Sequence, residues 1–73
     1  MIHCHLDRFM QRDQLSASEV ARLTGLNRST VTALSRQNAT RIELPAIECL
    51  CELFGCEVGE MFERVTEVRK SNA

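Results

Sequence analysis

Apolar residues open this chain with a period of two and then change to a helical period. Ile2, Cys4 and Leu6 alternate with His3 and His5, which predicts a short extended segment. From Leu6 the spacing becomes i, i+3, i+4, through Phe9 and Met10, so a first helix is predicted over residues 6–12. Asp13-Gln14 interrupts the stripe. Val20 and Ala21 mark the inner face of a second helix over 17–24, with Ala21 small where two helices approach closely. Val31 and Leu34 do the same for a third over 28–37. After the polar run NATRIE, Pro45 suits the first turn of a fourth helix, 45–54, with Ile47, Leu50, Cys51 and Phe54 as its core stripe and Gly55 as its end. A short fifth helix over 58–64 buries Met61 and Phe62, with Glu57 and Glu60 near its positive N-terminus. RVTEV, residues 64–68, is β-prone, which leaves room for a small pairing of terminal strands within one chain or between two. The tail 71–73 is expected to be disordered.

The stretch from Ser16 to Arg36 carries the most local information. Ser16 and Glu19 form an S-x-x-E capping box, and Leu15 and Val20 are spaced as a hydrophobic staple around it. Asn27 repeats the arrangement as an N-cap, with Leu26 and Val31 as its staple. Gly25 supplies the left-handed residue that ends the second helix. Two short helices joined by so tight a turn are a helix-turn-helix, spanning residues 16–37, and the second helix of such a unit can enter a major groove.

Composition narrows the picture further. The 73 residues make one small domain, 1–73, whose limited core favours help from a partner chain. No run of about 18 apolar residues is present, and the opening MIHCHLDRF lacks the basic and apolar regions of a secretory signal, so a cytoplasmic location with reduced thiols and no membrane partner is expected. The net charge of −1 hides a division. Residues 1–42 hold six basic and three acidic side chains, whereas residues 43–73 hold three basic and seven acidic ones. The positive half is the half with the helix-turn-helix, although its excess is modest and any nonspecific nucleic-acid affinity should be salt-sensitive.

At this point the residues resemble the lambda-repressor-like, Cro-type helix-turn-helix family, also called XRE. V-A-R-L-T-G-L-N-R-S-T-V fits its helix-turn-helix pattern, with Val20, Ala21, Gly25, Leu26, Val31 and Leu34 at structural positions. R-I-E-L-P-A-I-E-C-L-C-E-L-F-G-C-E-V-G-E-M-F looks like the fourth and fifth helices of small stand-alone regulators in that family. The resemblance implies an all-α, compact five-helix domain that binds operator DNA, usually as a homodimer. Three positions depart from the family's pattern. Ala17 stands where a phosphate-touching glutamine is frequent, the third helix ends Ser35-Arg36-Gln37-Asn38 instead of in an acidic residue and a glycine-containing turn, and Val58 stands where proline is frequent.

Arg28 at the start of the third helix is placed to reach the O6 and N7 of a guanine, or else a phosphate. Ser29 and Thr32 can meet a base edge or backbone, and Ala33 is the right size for a thymine methyl group, though each is also an ordinary helix-surface residue. Arg36, Asn38, Thr40 and Arg41 follow as phosphate positioners. Asn27 joins them at the helix N-terminus, and Ser18 and Arg22 on the second helix are further backbone candidates. Ala46, Cys49 and Leu53 form a second apolar stripe on the fourth helix, a candidate dimer contact or ordinary packing.

The remaining chemistry is sparse. Cys49-x-Cys51 points two thiols to nearly opposite sides of a helix, unlike a C-x-x-C knuckle, and His3, Cys4 and His5 make an incomplete ligand set, so neither metal nor other cofactor is expected. Cys51 and Cys56 look like small core residues, and Cys4 and Cys49 like exposed thiols without an activating neighbour. No catalytic constellation, phosphate loop or small-molecule site is evident, so the chain is not read as an enzyme. The expected function is sequence-specific binding of double-stranded DNA by a transcriptional regulator, a repressor. The rivals are a protein-interaction module of the same fold, such as an antitoxin or antirepressor, and a thiol- or metal-sensing regulator.

Overall fold

Seven elements follow one another along residues 1–66, the part of the chain that the computed structural model describes. They are β1 (Ile2–Cys4), α1 (Leu6–Asp13), α2 (Ala17–Thr24), α3 (Arg28–Ser35), α4 (Leu44–Phe54), α5 (Val58–Met61) and β2 (Phe62–Arg64). Each delivers at least one side chain to a single core: Cys4, Leu6, Val20, Val31, Leu34, Leu50, Phe54 and Met61 are buried together, and Phe62 packs against them from β2. Leu6, Val20, Val31, Leu50 and Met61 have no solvent exposure at all. Each such side chain contributes about 1.5 to 3 kcal/mol by leaving water, which is how so short a chain holds five helices together. Around this core α2 packs on α3 and α4, α1 on α3, and α4 on α5.

The helix boundaries follow from local chemistry at most junctions. Ser16 caps α2 as its sequence requires: its hydroxyl accepts the Glu19 N–H at 3.2 Å and its own N–H donates to the Glu19 carboxylate at 2.8 Å. Gly25 ends α2 at φ +78°, with its N–H on the Ala21 carbonyl, and Gly55 ends α4 at φ +64°. Gln14 ends α1 in the same left-handed conformation, at φ +57°, and the Leu15 N–H closes the turn on Met10. Arg12 then ties that end to α4: it holds the Asp13 carboxylate, donates to the Phe54 carbonyl at 2.9 Å and lies over the Phe9 ring.

Several expectations change. The fold is mostly helical but not purely so, because β1 and β2 form an antiparallel ribbon with His3 opposite Glu63 and Cys4 opposite Phe62. The pairing is within the chain, and its second strand is Phe62–Arg64, earlier than the RVTEV stretch; the end of that stretch and the tail 71–73 lie outside the described residues. The fifth helix accordingly stops at Met61 instead of reaching residue 64, since Phe62 gains more from the ribbon and the core than from another helical turn. The third helix stops at Ser35 instead of 37. Asn27 sits at the N-cap of α3 with extended backbone, but its side chain makes no capping bond. Cys4 is buried, not exposed, because β1 turns its side chain into the core cluster, with Phe62 opposite it on β2.

The fourth helix is also rotated relative to expectation. Ala46, Leu50 and Phe54, spaced i, i+4, i+8, are its buried residues, and Leu53 and Cys51 pack beside them. Ile47, assigned to the core stripe, is only half-buried and stands outside the core cluster. Ala46 and Leu53 are thus taken up by the chain's own interior, which leaves Cys49 as the half-buried remainder of the expected second stripe.

Candidate nucleic-acid interface

The outward side of α3 is set by its inward side. Val31 and Leu34 are buried, so the helical repeat turns Arg28, Ser29, Thr32, Ala33 and Arg36 away from the core. These five and Asn38 line one open depression on the surface, with Arg28, Ser29, Arg36 and Asn38 exposed and Thr32 and Ala33 half-buried at its floor. Asn27 and Arg41 share a neighbouring depression with Gly25 and Thr30, alongside Glu43. Thr40 and Arg41 border a third, about 230 Å³ in volume, under the terminal ribbon. Ser18 and Arg22 are exposed on α2. The expected base-contact residues and two of the expected phosphate positioners therefore meet on one face, while the others are spread around it.

Two residues that the sequence reading did not single out hold this face in place. Thr24 closes the turn before α3: its hydroxyl donates to the Val20 carbonyl at 2.7 Å and accepts the Leu26 N–H at 3.3 Å. At the other end Gln37 adopts φ +62°, and the Asn38 N–H reaches the Ala33 carbonyl at 2.8 Å, so α3 ends in a Schellman turn without glycine. The Gln37 side chain then behaves like one residue of a third strand. Its oxygen accepts the Cys4 N–H at 2.8 Å, and its amide nitrogen donates to the Cys4 carbonyl at 2.5 Å. Both Cys4 backbone groups point away from β2, because the ribbon bonds run through Met1 and His5 on either side. Without Gln37 they would have no partner in the ribbon. Gln37 is flanked by Arg36 and Asn38, so the same residue that secures β1 aims two side chains of the depression.

The matching family is the Cro/C1-type HTH DNA-binding domain, over residues 5–67. The chain belongs to that family. Comparison with curated proteins returns no match. In this Cro/C1-type domain the matched span takes in all five helices and β2, and β1 lies before it.

The cysteines and histidines are placed differently from the residues of the α3 face. Burial pushes the Cys4 thiol up from its ordinary value, and burial together with the adjacent Cys51 thiol pushes Cys56 up to about 11. Both stay protonated at neutral pH and are not activated nucleophiles. The His3 and His5 rings are neighbours, with centroids 4.8 Å apart and planes tilted by 51°, and His5 Nε2 donates to Glu63 at 2.8 Å across the ribbon. Among the described residues no group of three or more His, Cys, Asp or Glu side chains could hold a metal ion. No helix among them is long and apolar enough to cross a membrane.

Proposed function

We propose that this domain is a sequence-specific transcriptional regulator, a repressor that occludes a promoter by inserting α3 into the major groove of operator DNA. The observation that carries the reading is the single open face on which Arg28, Ser29, Thr32, Ala33, Arg36 and Asn38 meet. Arg28, Ser29, Thr32 and Ala33 contact base edges. Ser18, Arg22, Asn27, Arg36, Asn38, Thr40 and Arg41 position the backbone. The uncapped Asn27 leaves the first N–H groups of α3 free for a phosphate. The protein acts as a homodimer, with its two recognition helices about 34 to 36 Å apart, one turn of B-DNA.

Selection of bound sequences from a random DNA pool tests this directly. A two-fold symmetric site is expected, and recovery of no enriched sequence at low salt defeats the reading. Arg28→Ala should relax the preference at one base pair per half-site, at about 1 to 3 kcal/mol of discrimination. Equal weakening on every sequence would instead assign Arg28 to a phosphate.

The rival reading as a protein-interaction module draws on one observation, the acidic and apolar surface of α4 and α5 opposite in charge to the α3 face.

A further inference from the structure

Because α4 buries Ala46, Leu50 and Phe54, a second apolar line on it is left at the edge of the core and reaches the surface at Leu44. Leu44, Ile47 and Cys51 follow one another at i, i+3 and i+7, with Leu44 78% exposed, Ile47 half-buried and Cys51 half-buried against the core. Val58, at the start of α5, is 52% exposed and faces the same space. Together they line a groove of about 550 Å³ between the two helices. Single exposed apolar residues are ordinary on a protein surface, but four apolar side chains gathered along one groove offer a partner a place to anchor.

The rim of the groove has one sign of charge. Glu48 and Glu52 run along its α4 side and Glu57 stands at the α5 end, all exposed. Residues 42–63 as a whole carry six glutamates and no lysine, arginine or histidine. The spacing of Leu44, Ile47 and Cys51 is that of a, d and a positions in a heptad, with Glu48 at the adjoining e position. Such a face receives an amphipathic helix whose apolar anchors enter the groove and whose flanking cations meet the glutamates.

We propose that the α4–α5 groove docks a cationic amphipathic helix of another protein. A second copy of this chain is a poor occupant, because an isologous contact through the groove sets Glu48 and Glu52 against their own counterparts. The same charges repel nucleic acid and anionic lipid. The proposal is independent of the DNA-binding reading, since none of these residues lies on the α3 face.

The test is a titration of ¹⁵N-labelled protein with an amidated synthetic peptide about four helical turns long, leucine on one face and lysine on the others. Amide shifts are expected to concentrate between residues 44 and 58. A shuffled peptide of the same composition, without the leucine face, should bind at least about tenfold more weakly, because the anchors and not the charge alone hold the helix. Leu44→Ser with Val58→Ser removes exposed side chains only and should lower affinity by about tenfold with the rest of the amide spectrum unchanged. Glu48→Lys with Glu52→Lys should reverse the preference toward a leucine–glutamate peptide. Equal binding of the shuffled peptide, shifts centred elsewhere, or no binding at millimolar peptide each overturns the proposal. So does a self-association of the free protein that Leu44→Ser dissolves. A DNA-binding measurement on the same variants should be unaltered, so failure of the groove and failure of the α3 reading are told apart.

Discussion

The third helix, α3, is entered and left through turns that need the same left-handed backbone, and the two turns obtain it in different ways. At the entrance, Gly25 adopts φ +78° with no atom within 4 Å of where a Cβ would stand. Its conformation is available to glycine at little strain. At the exit, Gln37 adopts φ +62°, a conformation that is unfavourable for a side chain of its type. Its amide offsets that strain by satisfying both backbone groups of Cys4. The entrance is thus a local solution and the exit a tertiary one. The orientation of Arg36 and Asn38 on the outward side of α3 depends on a strand at the start of the chain.

The largest expected effect tests the exit. Gln37→Ala removes the partner of both Cys4 backbone groups while keeping the strained backbone, and should cost about 1 to 3 kcal/mol in urea denaturation, since it loses two part-buried hydrogen bonds worth about 0.5 to 1.5 kcal/mol each. A loss indistinguishable from zero would show that the amide pairing contributes nothing. Gly25→Ala, next in size, should cost about 1 to 2 kcal/mol from conformation alone, because the added methyl group meets nothing. Gln37→Gly sharpens the contrast: it also loses the amide but relieves the backbone, so it should recover about 1 kcal/mol relative to Gln37→Ala. If the two variants are equally stable, the left-handed turn is not strained.

Ser16→Ala, at the start of α2, should cost about 1 kcal/mol, the usual worth of an N-cap. A smaller pH effect belongs to the same cap. The Ser16 N–H, with its hydroxyl, holds the Glu19 carboxyl below its usual range. A carboxylate lowered on folding adds stability above its unfolded value and loses it as pH falls through the folded one. Glu19→Gln should therefore flatten the acid limb of the stability profile slightly, and an unchanged limb would show that the box is not formed in solution.

The legibility of these features divides along the same line. The cap at Ser16 and the ends at Gly25 and Gly55 were readable because each depends on residues within one helical turn. The outward placement of Arg28, Ser29, Thr32 and Ala33 was readable too, since Val31 and Leu34 fix the phase of a short helix. The Gln37 turn was not, because its reason stands at Cys4, 33 positions away. The rotation of α4 was equally hidden: with Leu44, Ala46, Ile47, Cys49, Leu50, Cys51, Leu53 and Phe54 all apolar, no one face is marked as the inner one. Phe62 was placed in a helix because a short apolar run reads as either helix or strand until it finds a partner.

By itself, then, the amino-acid sequence determined the helix-turn-helix, its family and the side chains that α3 turns outward, because these rest on short-range backbone rules and on one unambiguous apolar phase. Only the tertiary structure decided where α3 ends, which line of α4 is buried and that the terminal segments pair within the chain. Each of those outcomes is a competition between nearly equal local choices, settled by hydrogen bonds and buried area that arrive from distant parts of the chain.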